Sequence, residues 1–267
     1  MLVIGELINA TRKKVRQAVI DHDLDFLQQL AKKQDEAGAH YIDVNVATGA
    51  GKQEKEIEDM KWAVQGLRKV TQKPLAIDTT SLEVMQAGLE THGPGAMVNS
   101  ASAETGRLEP FLQLAREYDC LCVALPVSDA GIPKDVAARL EISKQIVQAA
   151  EKEGFPLDRL YMDPLAFPLG VDDQSGTITL QTITALKEEF QVKTTIGLTN
   201  ISHGLPQRGL LNRTFVTLAI YAGLDSAIAD PLDRGVMSSV LAAEAALGRD
   251  PYCGKLLKAF RKGQLVP

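Results

Sequence analysis

Short apolar runs alternate with longer stretches of helical periodicity along the whole chain. The short runs are rich in β-branched residues, as strands usually are. The strand candidates are Leu2–Ile4, Tyr41–Val46, Leu75–Asp78, Ala96–Asn99, Leu121–Leu125, Leu160–Asp163, Thr194–Leu198 and Ser226–Ala229.

The stretches between these runs carry apolar residues at intervals of three and four, which predicts amphipathic helices. Two clear examples are Arg12–Ala37 and Val136–Glu153. The polar segment Asp21–Asp25 is expected to divide the first of them into two helices. Gly38 and Gly154 stand where the residue after a helix C-cap is expected, a position that favours glycine.

Apolar strands separated by amphipathic helices predict a parallel sheet whose two faces are both covered. About eight repeats favour a single (β/α)8 TIM barrel over an open sheet, and the 267 residues match the roughly 250 that such a barrel needs. No GxGxxG motif follows a strand, so a Rossmann dinucleotide site is not supported. No low-complexity linker occurs, and we expect one domain over residues 1–267.

Composition adds limits on partners and on location. The formal net charge is −5, and the short basic stretch Arg12, Lys13, Lys14 and Arg16 is expected to be the solvated start of a helix. We therefore expect no nucleic-acid partner. No signal peptide or membrane-length apolar run is visible. Cys120, Cys122 and Cys253 form no CxxC motif, so we expect reduced cysteines in a cytoplasmic protein.

Polar residues follow almost every predicted strand. In a TIM barrel the active site lies at the carboxyl ends of the strands. Asp and Asn also favour helix N-caps and turns, so each alone is weak evidence. The residues at these ends are Glu6, Asn9, Asp43, Asn45, Asp78, Asn99, Asp163, Asn200 and Asp230.

The set is rich in carboxylates and amides. It contains no His-rich or Cys ligand group, so no catalytic metal is expected, and no Ser–His–Asp arrangement is evident. His22, His40 and His92 are expected at the surface, whereas His203 follows the seventh strand and could face the site. Carboxylates and amides suit a flat heterocycle with several N–H donors. A pterin fits, and a guanine-like base or a flavin fits in part.

The motifs at these strand ends resemble those of the methyltetrahydrofolate:corrinoid protein methyltransferases. That family shares a pterin-binding barrel with dihydropteroate synthase and with the folate module of cobalamin-dependent methionine synthase. The resemblance covers nearly the whole chain. It rests on Gly5-Glu6-Leu7-Ile8-Asn9, Ile42-Asp43-Val44-Asn45, Asp78-Thr79-Thr80, Met97-Val98-Asn99-Ser100, Gly131-Ile132-Pro133-Lys134-Asp135, Tyr161-Met162-Asp163-Pro164-Leu165, Gly197-Leu198-Thr199-Asn200-Ile201-Ser202, Arg208, Leu211-Asn212-Arg213-Thr214-Phe215 and Ala227-Ile228-Ala229-Asp230.

The resemblance implies that Asp78, Asn99 and Asp163 hold the pterin ring and that Asn200 reaches N5, the nitrogen that carries the methyl group. It extends the folate-binding set to the loop after the seventh strand, with Ser202, His203 and Arg208. It also implies a homodimer and a corrinoid (cobalamin) carried by a partner protein, since this chain has no Asp-x-His-x-x-Gly motif. Two residues depart from the family's pattern, Leu7 in place of arginine and His203 where some relatives carry an amide.

The mechanistic hypothesis concerns the leaving group. N5 must gain positive charge before a tertiary amine can lose its methyl group, so Asn200 and Asp163 are the expected catalytic residues. Asn200 would donate or orient a hydrogen bond to N5. The proton would come from water or from a network that includes Asp163, because an amide is not a general acid at neutral pH.

Three alternatives compete with this interpretation. A dihydropteroate synthase-like enzyme should have an Arg-Pro-Gly loop after the second strand and a lysine after the seventh, where this chain has residues 47–51 (ATGAG) and Thr199-Asn200. A Schiff-base lyase or aldolase needs an inward lysine, and Lys193 begins the seventh strand, at the wrong end. A non-catalytic folate-binding protein would bind without turnover. The sequence leaves the direction of transfer open between acetogenic carbon fixation and demethylation, including O-demethylation.

Overall fold

The computed structural model describes residues 1–49 and 52–266, and within these residues eight parallel strands close into a barrel in chain order. The strands are β1 Leu2–Asn9, β2 Tyr41–Asn45, β3 Leu75–Asp78, β4 Met97–Ser102, β5 Leu121–Leu125, β6 Leu160–Met162, β7 Lys193–Gly197 and β8 Ser226–Ala229. The expected (β/α)8 barrel is confirmed. Ala50 and Gly51, part of the loop after β2 considered above, lie outside the described residues, as does Pro267.

Helices surround the barrel. They are α1 Lys13–Ile20, α2 Leu24–Glu36, α3 Gln53–Leu67, α4 Leu82–His92, α5 Leu108–Glu117, α6 Val136–Lys152, α7 Ser175–Glu189, α8 Arg208–Ala222, α9 Arg234–Ala246 and α10 Gly254–Arg261. The expected division of the first helical stretch is confirmed, because Asp23 caps α2 by accepting a hydrogen bond from the Phe26 amide. Gly38 and Gly154 adopt positive φ directly after the C-caps of α2 and α6, as expected.

Strand β1 extends further than its apolar run suggested. The prediction ended it at Ile4, whereas the strand runs to Asn9. The register of the pairing between β1 and β2 shifts between Gly5 and Ile8, and beyond the shift Ile8 and Asn9 lie opposite Val44 and Asn45. The polar side chain of Glu6 hides this continuation in a hydrophobicity pattern, because it interrupts the apolar run.

Two apolar layers build the molecule. The outer layer packs the helices against one face of the strands and includes Cys120 and Cys122, whose burial raises the pKa of both thiols to about 12. The inner layer fills the barrel with Ile4, Ala76, Met97, Val123 and Tyr161, supported by Leu2, Tyr41, Leu121, Leu125 and Ile228. This filled interior closes the lower part of the barrel and leaves the carboxyl ends of the strands as its open rim.

The expected surface position of His92 is wrong. Its side chain is buried at the end of α4, and Nε2 accepts a hydrogen bond from the Leu75 amide at 3.1 Å. Burial lowers the pKa of His92, which keeps the ring neutral as an acceptor. His22 and His40 are exposed, as expected. The expectation for the basic stretch is confirmed for Lys13, Lys14 and Arg16, which are exposed at the start of α1, whereas the exposed Arg12 also pairs with Glu6 of the rim at 2.7 Å.

Candidate functional site

The polar ring at the rim follows from the alternation of side chains along each strand. Residues two positions apart share a face, so the residue two positions after each inner-core residue also points into the barrel. Six of these positions carry a carboxylate or an amide. The pairs are Ile4 and Glu6, Tyr41 and Asp43, Ala76 and Asp78, Met97 and Asn99, Tyr161 and Asp163, and Ile228 and Asp230.

Five of the polar residues at the ends of β1 to β4 form one hydrogen-bonded group, which we call the carboxylate–amide cluster (Asn9, Asp43, Asn45, Asp78 and Asn99). Asp78 Oδ2 accepts from Asn9 Nδ2 at 3.2 Å and from Asn45 Nδ2 at 3.1 Å. Asp43 Oδ1 accepts from Asn99 Nδ2 at 2.9 Å. The cluster therefore fixes Asp78 and Asn99, two of the residues expected to hold a pterin.

The two carboxylates of the cluster share a proton. Burial and the nearby Asp78 carboxylate raise the pKa of Asp43 well above its ordinary value, so Asp43 donates a hydrogen bond to Asp78. Burial also raises the pKa of Asp78 to about 6, against the hydrogen bonds from Asn45 and Asp43, which lower it. Asp78 thus carries the negative charge of the pair at neutral pH.

Asp163 stands apart from this cluster, directly after β6. Burial raises the pKa of Asp163 to about 7, although the Leu165 amide and the charge of Arg139 both lower it. The Leu165 amide donates to Oδ1 at 2.8 Å. The buried guanidinium of Arg139 donates to the carbonyl of Pro164 at 2.6 Å and so fixes the chain that follows Asp163. The second carboxylate oxygen remains available to a ligand.

The absence of a side chain at Gly197 leaves room for the amide of Asn200. Asn200 ends a short 3₁₀ turn after β7, and its side chain lies over Gly197, where an added Cβ would come within 2.8 Å of Asn200 Nδ2. Gly197 occupies an inward-facing position of β7, opposite Ile228 of the inner layer. The exposed amide of Asn200 therefore lies over the carboxyl end of β7, and β7 is the neighbour of β6, the strand that Asp163 follows.

The remaining expected residues differ in their surroundings. Arg208 begins α8 and donates to the Ser202 hydroxyl at 3.1 Å and to the Thr199 carbonyl at 2.8 Å. Ser202 is fully buried, with its hydroxyl engaged by Arg208 and by the Thr199 carbonyl. His203 is exposed in the following turn. Ser202 and Arg208 thus support the loop that carries Asn200, and a direct contact of either with folate stays a prediction.

Several polar residues of the rim lay outside the expected site. They are Asp43, Asn45 and Asn9 of the cluster, and Glu6, which accepts from Thr199 Oγ1 at 3.0 Å and pairs with Arg12. Burial raises the pKa of Glu6, while Arg12 and Thr199 lower it. The signal was present in the sequence, because Asp43 and Asn45 alternate with the outward-facing Ile42 and Val44.

No group of three or more His, Cys, Asp or Glu side chains suited to a metal ion occurs among the described residues. In the same part of the chain, none of the helices combines the length and the apolar character that crossing a membrane requires.

A barrel with such a rim is a fold that many enzymes share, and comparison with known proteins defines its class. A family model described as pterin binding enzyme matches residues 5–230, and the chain therefore belongs to this family of pterin-binding enzymes. Within it, the chain is 35% identical over 270 residues to the methylcorrinoid:tetrahydrofolate methyltransferase of Eubacterium limosum, covering 100% of this chain and 98% of that protein. The expected relationship to corrinoid–folate methyltransferases is confirmed.

More distant relatives agree. The chain is 33% identical over 242 residues to the methionine synthase of Mycobacterium leprae, which covers 85% of this chain and 20% of that longer enzyme. Among solved structures, dihydropteroate synthase from Xanthomonas albilineans in complex with 7,8-dihydropteroate superposes with a TM-score of 0.69 at 21% identity, covering 92% of this chain and 93% of that one. The Yersinia pestis dihydropteroate synthase gives a TM-score of 0.69 at 16% identity, with 93% of each chain covered. These structural matches bear on the fold alone.

Proposed function

We propose that this enzyme moves a methyl group between N5 of tetrahydrofolate and the cobalt of a corrinoid carried by a partner protein. The observation that carries the proposal is the rim itself. Asp78 and Asn99 are fixed in one cluster, Asp163 stands after β6, and the exposed amide of Asn200 lies over Gly197 at the end of β7. The identity of 35% over the full chain to a methylcorrinoid:tetrahydrofolate methyltransferase supports the same reaction.

In this proposal Asp78, Asn99 and Asp163 bind the pterin. The amino-pyrimidinone edge of a pterin presents adjacent N–H donors, and an ionised carboxylate accepts such a pair well. Asp163 is partly exposed and keeps one carboxylate oxygen available. Asn99 can donate and accept, and its Nδ2 is already directed to Asp43, so its side-chain oxygen is the atom that would face a ligand donor.

Asn200 is the residue proposed to act on N5. The cobalt supplied by the partner exchanges the methyl group, and the chain's own task is to manage the charge on N5. With 5-methyltetrahydrofolate as substrate, a hydrogen bond from the Asn200 amide to N5 would strengthen as the C–N bond breaks. With tetrahydrofolate as substrate, the side-chain oxygen of Asn200 would accept the N5–H as N5 gains positive charge. In each direction the bond would stabilise the transition state more than the bound substrate. Transfer to tetrahydrofolate forms the N5–CH3 bond and releases the N5 proton, which would pass through water toward the carboxylate of Asp163, a group with a pKa of about 7. In the reverse direction the same route would return a proton to N5 as the methyl group leaves.

The proposed direction is from methylcorrinoid to tetrahydrofolate, as in demethylation pathways, because the relative with full-length coverage carries that direction in its name. The reverse reaction would use the same rim, since both folates must bind there. O-demethylation is the proposed setting, and the cytoplasm the proposed location.

The proposed partner is a corrinoid protein that docks over the open rim, and the proposed unit is one domain over residues 1–267. We also propose a homodimer. Its support is an apolar strip on α7 and α8, where Leu218 is 46% exposed and Tyr221 is 76% exposed beside Leu180 and Ala185. Exposed aromatic and leucine side chains in one strip are typical of protein interfaces.

No observation specifically favours a dihydropteroate synthase-like reaction or a non-catalytic folate-binding protein. A dihydropteroate synthase-like reaction lacks its expected lysine, because Thr199 and Asn200 follow β7. The relatives at 35% and 33% identity are both named as enzymes, which favours catalysis over binding alone.

The test is a spectroscopic assay of methyl transfer. The purified protein is mixed anaerobically with methylcobalamin and tetrahydrofolate, and separately with Co(I) cobalamin and 5-methyltetrahydrofolate. The proposal expects interconversion of the two cobalt spectra in the presence of protein, with the folate product detected by chromatography. Folate binding without transfer to cobalamin or to a corrinoid protein would favour the non-catalytic alternative, and no folate binding would contradict the pterin site.

A further inference from the structure

The ring of helices around the barrel has one open seam. Each helix from α2 to α9 packs against the next one along the chain, whereas α9 and α2, which would close the ring, have few contacts among the described residues. The seam is covered instead by α10 and the residues after it. Arg234 of α9 donates to the carbonyl of Gly263, and the Val266 amide donates to Ser238 Oγ at 2.9 Å.

This cover leaves a cavity of about 660 Å³ along α9. Its apolar wall is formed by Val3 of β1 together with Met237 and Leu241 of α9. A volume of this size lies within the range of small-molecule sites, which are concave and mostly apolar. The cavity is separate from the carboxylate–amide cluster and from Asn200, none of which lines it.

The opposite wall is basic. Lys255, Lys258 and Lys262 of α10 and the turn after it all line the cavity, at spacings of three and four residues that place them on one side of the helix. Ala259, the buried residue of α10, lies on the same side. None of the three lysines forms an ion pair with any described residue.

Two acidic residues also line the cavity, and they do not balance the lysines. Glu244 is already paired with the amino group of Met1 at 2.8 Å. Glu36 ends α2 and is the other acidic lining residue. Outside the lining, Asp250 accepts hydrogen bonds from the amides of Lys255 and Leu256, and these bonds and the charge of Lys255 lower the pKa of Asp250. Three lysines and Arg234 therefore still outnumber the nearby acids that have no ion-pair partner. Like charges at helical spacings of three and four destabilise a helix. An anion held between the lysines would relieve this repulsion.

We propose that the α9–α10 cavity binds an amphipathic carboxylate, with an unbranched apolar body along Val3, Met237 and Leu241 and its head group against Lys255, Lys258 and Lys262. Burial of the body would supply most of the affinity, since apolar surface contributes about 25 cal/mol per Å² removed from water. The lysines would select the charge of the head group. This site is independent of the methyl-transfer proposal and would exist whether or not that proposal holds.

The test uses decanoate as the probe, titrated into the intact protein by calorimetry, with decanol and decyltrimethylammonium as neutral and cationic comparisons. We expect saturable binding of decanoate, and binding at least about tenfold weaker for both comparisons. The triple variant Lys255→Gln/Lys258→Gln/Lys262→Gln should weaken decanoate binding by about tenfold. A matched triple variant of exposed lysines elsewhere, Lys61→Gln/Lys144→Gln/Lys152→Gln, should leave it unchanged.

A second variant fills the cavity without changing any charge. Leu241→Trp would place a larger side chain in the cavity and should abolish binding while folate affinity and melting temperature are retained. Equal affinity for decanoate and decanol, equal effects of the two lysine triples, or unchanged binding in Leu241→Trp would each overturn the proposal. A change of oligomeric state in the Lys255→Gln/Lys258→Gln/Lys262→Gln variant, measured by sedimentation, would instead assign the seam to a contact between copies and would overturn it too.

Discussion

Asp163 combines two properties that oppose each other in a folded protein. It is expected to bind the pterin as a carboxylate, and its surroundings raise its pKa to about 7. Hydrogen-bond donors from a ligand favour the charged form of a carboxyl group and therefore lower its pKa. Folate binding should thus be linked to loss of a proton from this residue.

Folate affinity should rise as the pH increases through about 7. In Asp163→Asn the carboxylate acceptor is lost, so affinity at pH 8 should fall about ten- to a hundredfold, the range expected for hydrogen bonds to a charged group. The difference between the variant and the wild type should shrink at pH 6, because Asp163 is largely protonated there. Equilibrium dialysis or calorimetry with 5-methyltetrahydrofolate measures both. Equal affinities at pH 8 would remove Asp163 from the binding site.

The same raised pKa has a cost in stability. Because the folded pKa of Asp163 lies above its ordinary value of 3.8, the native state binds more protons than the unfolded state between these values, and stability falls as the pH rises through this window. Asp163→Asn should therefore stabilise the protein at pH 8 by on the order of a few kcal/mol, and by less at pH 5. Urea denaturation at both pH values measures the difference, with the exposed Asp158→Asn as the control. A variant less stable than the wild type at pH 8 would contradict this account.

At the scale of single elements, the end of β7 shows what the sequence can and cannot reveal. Thr194–Leu198 was a sound strand prediction, shifted by one residue from the observed Lys193–Gly197. Nothing in a hydrophobicity pattern says that Gly197 faces inward below the amide of Asn200. That relation depends on how a short turn folds back over the strand, which is a property of the three-dimensional chain.

Gly197→Ala should displace the side chain of Asn200, although residue 200 itself is unchanged. The φ of Gly197 is −72°, so alanine fits the backbone, but its Cβ would lie 2.8 Å from Asn200 Nδ2 and must displace that amide. We expect methyl transfer to slow at least about tenfold, with little change in unfolding free energy. Gly209→Ala in α8 is the matched control, since its Cβ would meet only Asp233 Oδ2 at 3.7 Å. Full activity in Gly197→Ala would show that the position of the Asn200 amide is not critical.

Asp43 and Asn45 of β2 were not among the residues predicted from the sequence to bind the pterin. Asp43 and Asn45 were recognised as strand-end residues, but either could have been a helix cap or a turn residue. Their roles depend on partners from other strands, namely Asn99 and Asp78. Periodicity identifies the face of a strand on which a residue lies, whereas hydrogen bonds across a closed barrel require the register of every strand.

At the scale of the molecule, the regular repeat made the fold predictable. Eight strands and their helices each carry the same apolar signal, so a shift of a few residues in one of them leaves the barrel intact. The surroundings of Ser202, in contrast, could not be predicted. Ser202 is fully buried between Thr199 and Arg208, an arrangement that the sequence does not reveal, and its expected contact with folate stays a prediction.

The proposed homodimer gives a prediction at this scale. Replacing the exposed Leu218 and Tyr221 with glutamate places two charges in the apolar strip of α7 and α8, and a buried unpaired charge is costly. Sedimentation should show a dimer for the wild type and a monomer for Leu218→Glu/Tyr221→Glu. The exposed Leu257→Glu of α10 serves as the control and should remain dimeric. A monomeric wild type, or a dimeric double variant, would refute this interface.

The most direct test of the account is single-turnover methyl transfer by Asn200→Ala, followed by the cobalt spectrum with saturating folate and compared with folate affinity measured on the same preparation. The account predicts a fall in the transfer rate of about a hundred- to a thousandfold, as for the loss of one transition-state donor, with folate affinity nearly unchanged. A fall in affinity as large as the fall in rate would make Asn200 a binding residue only. An unchanged rate would contradict its proposed action on N5.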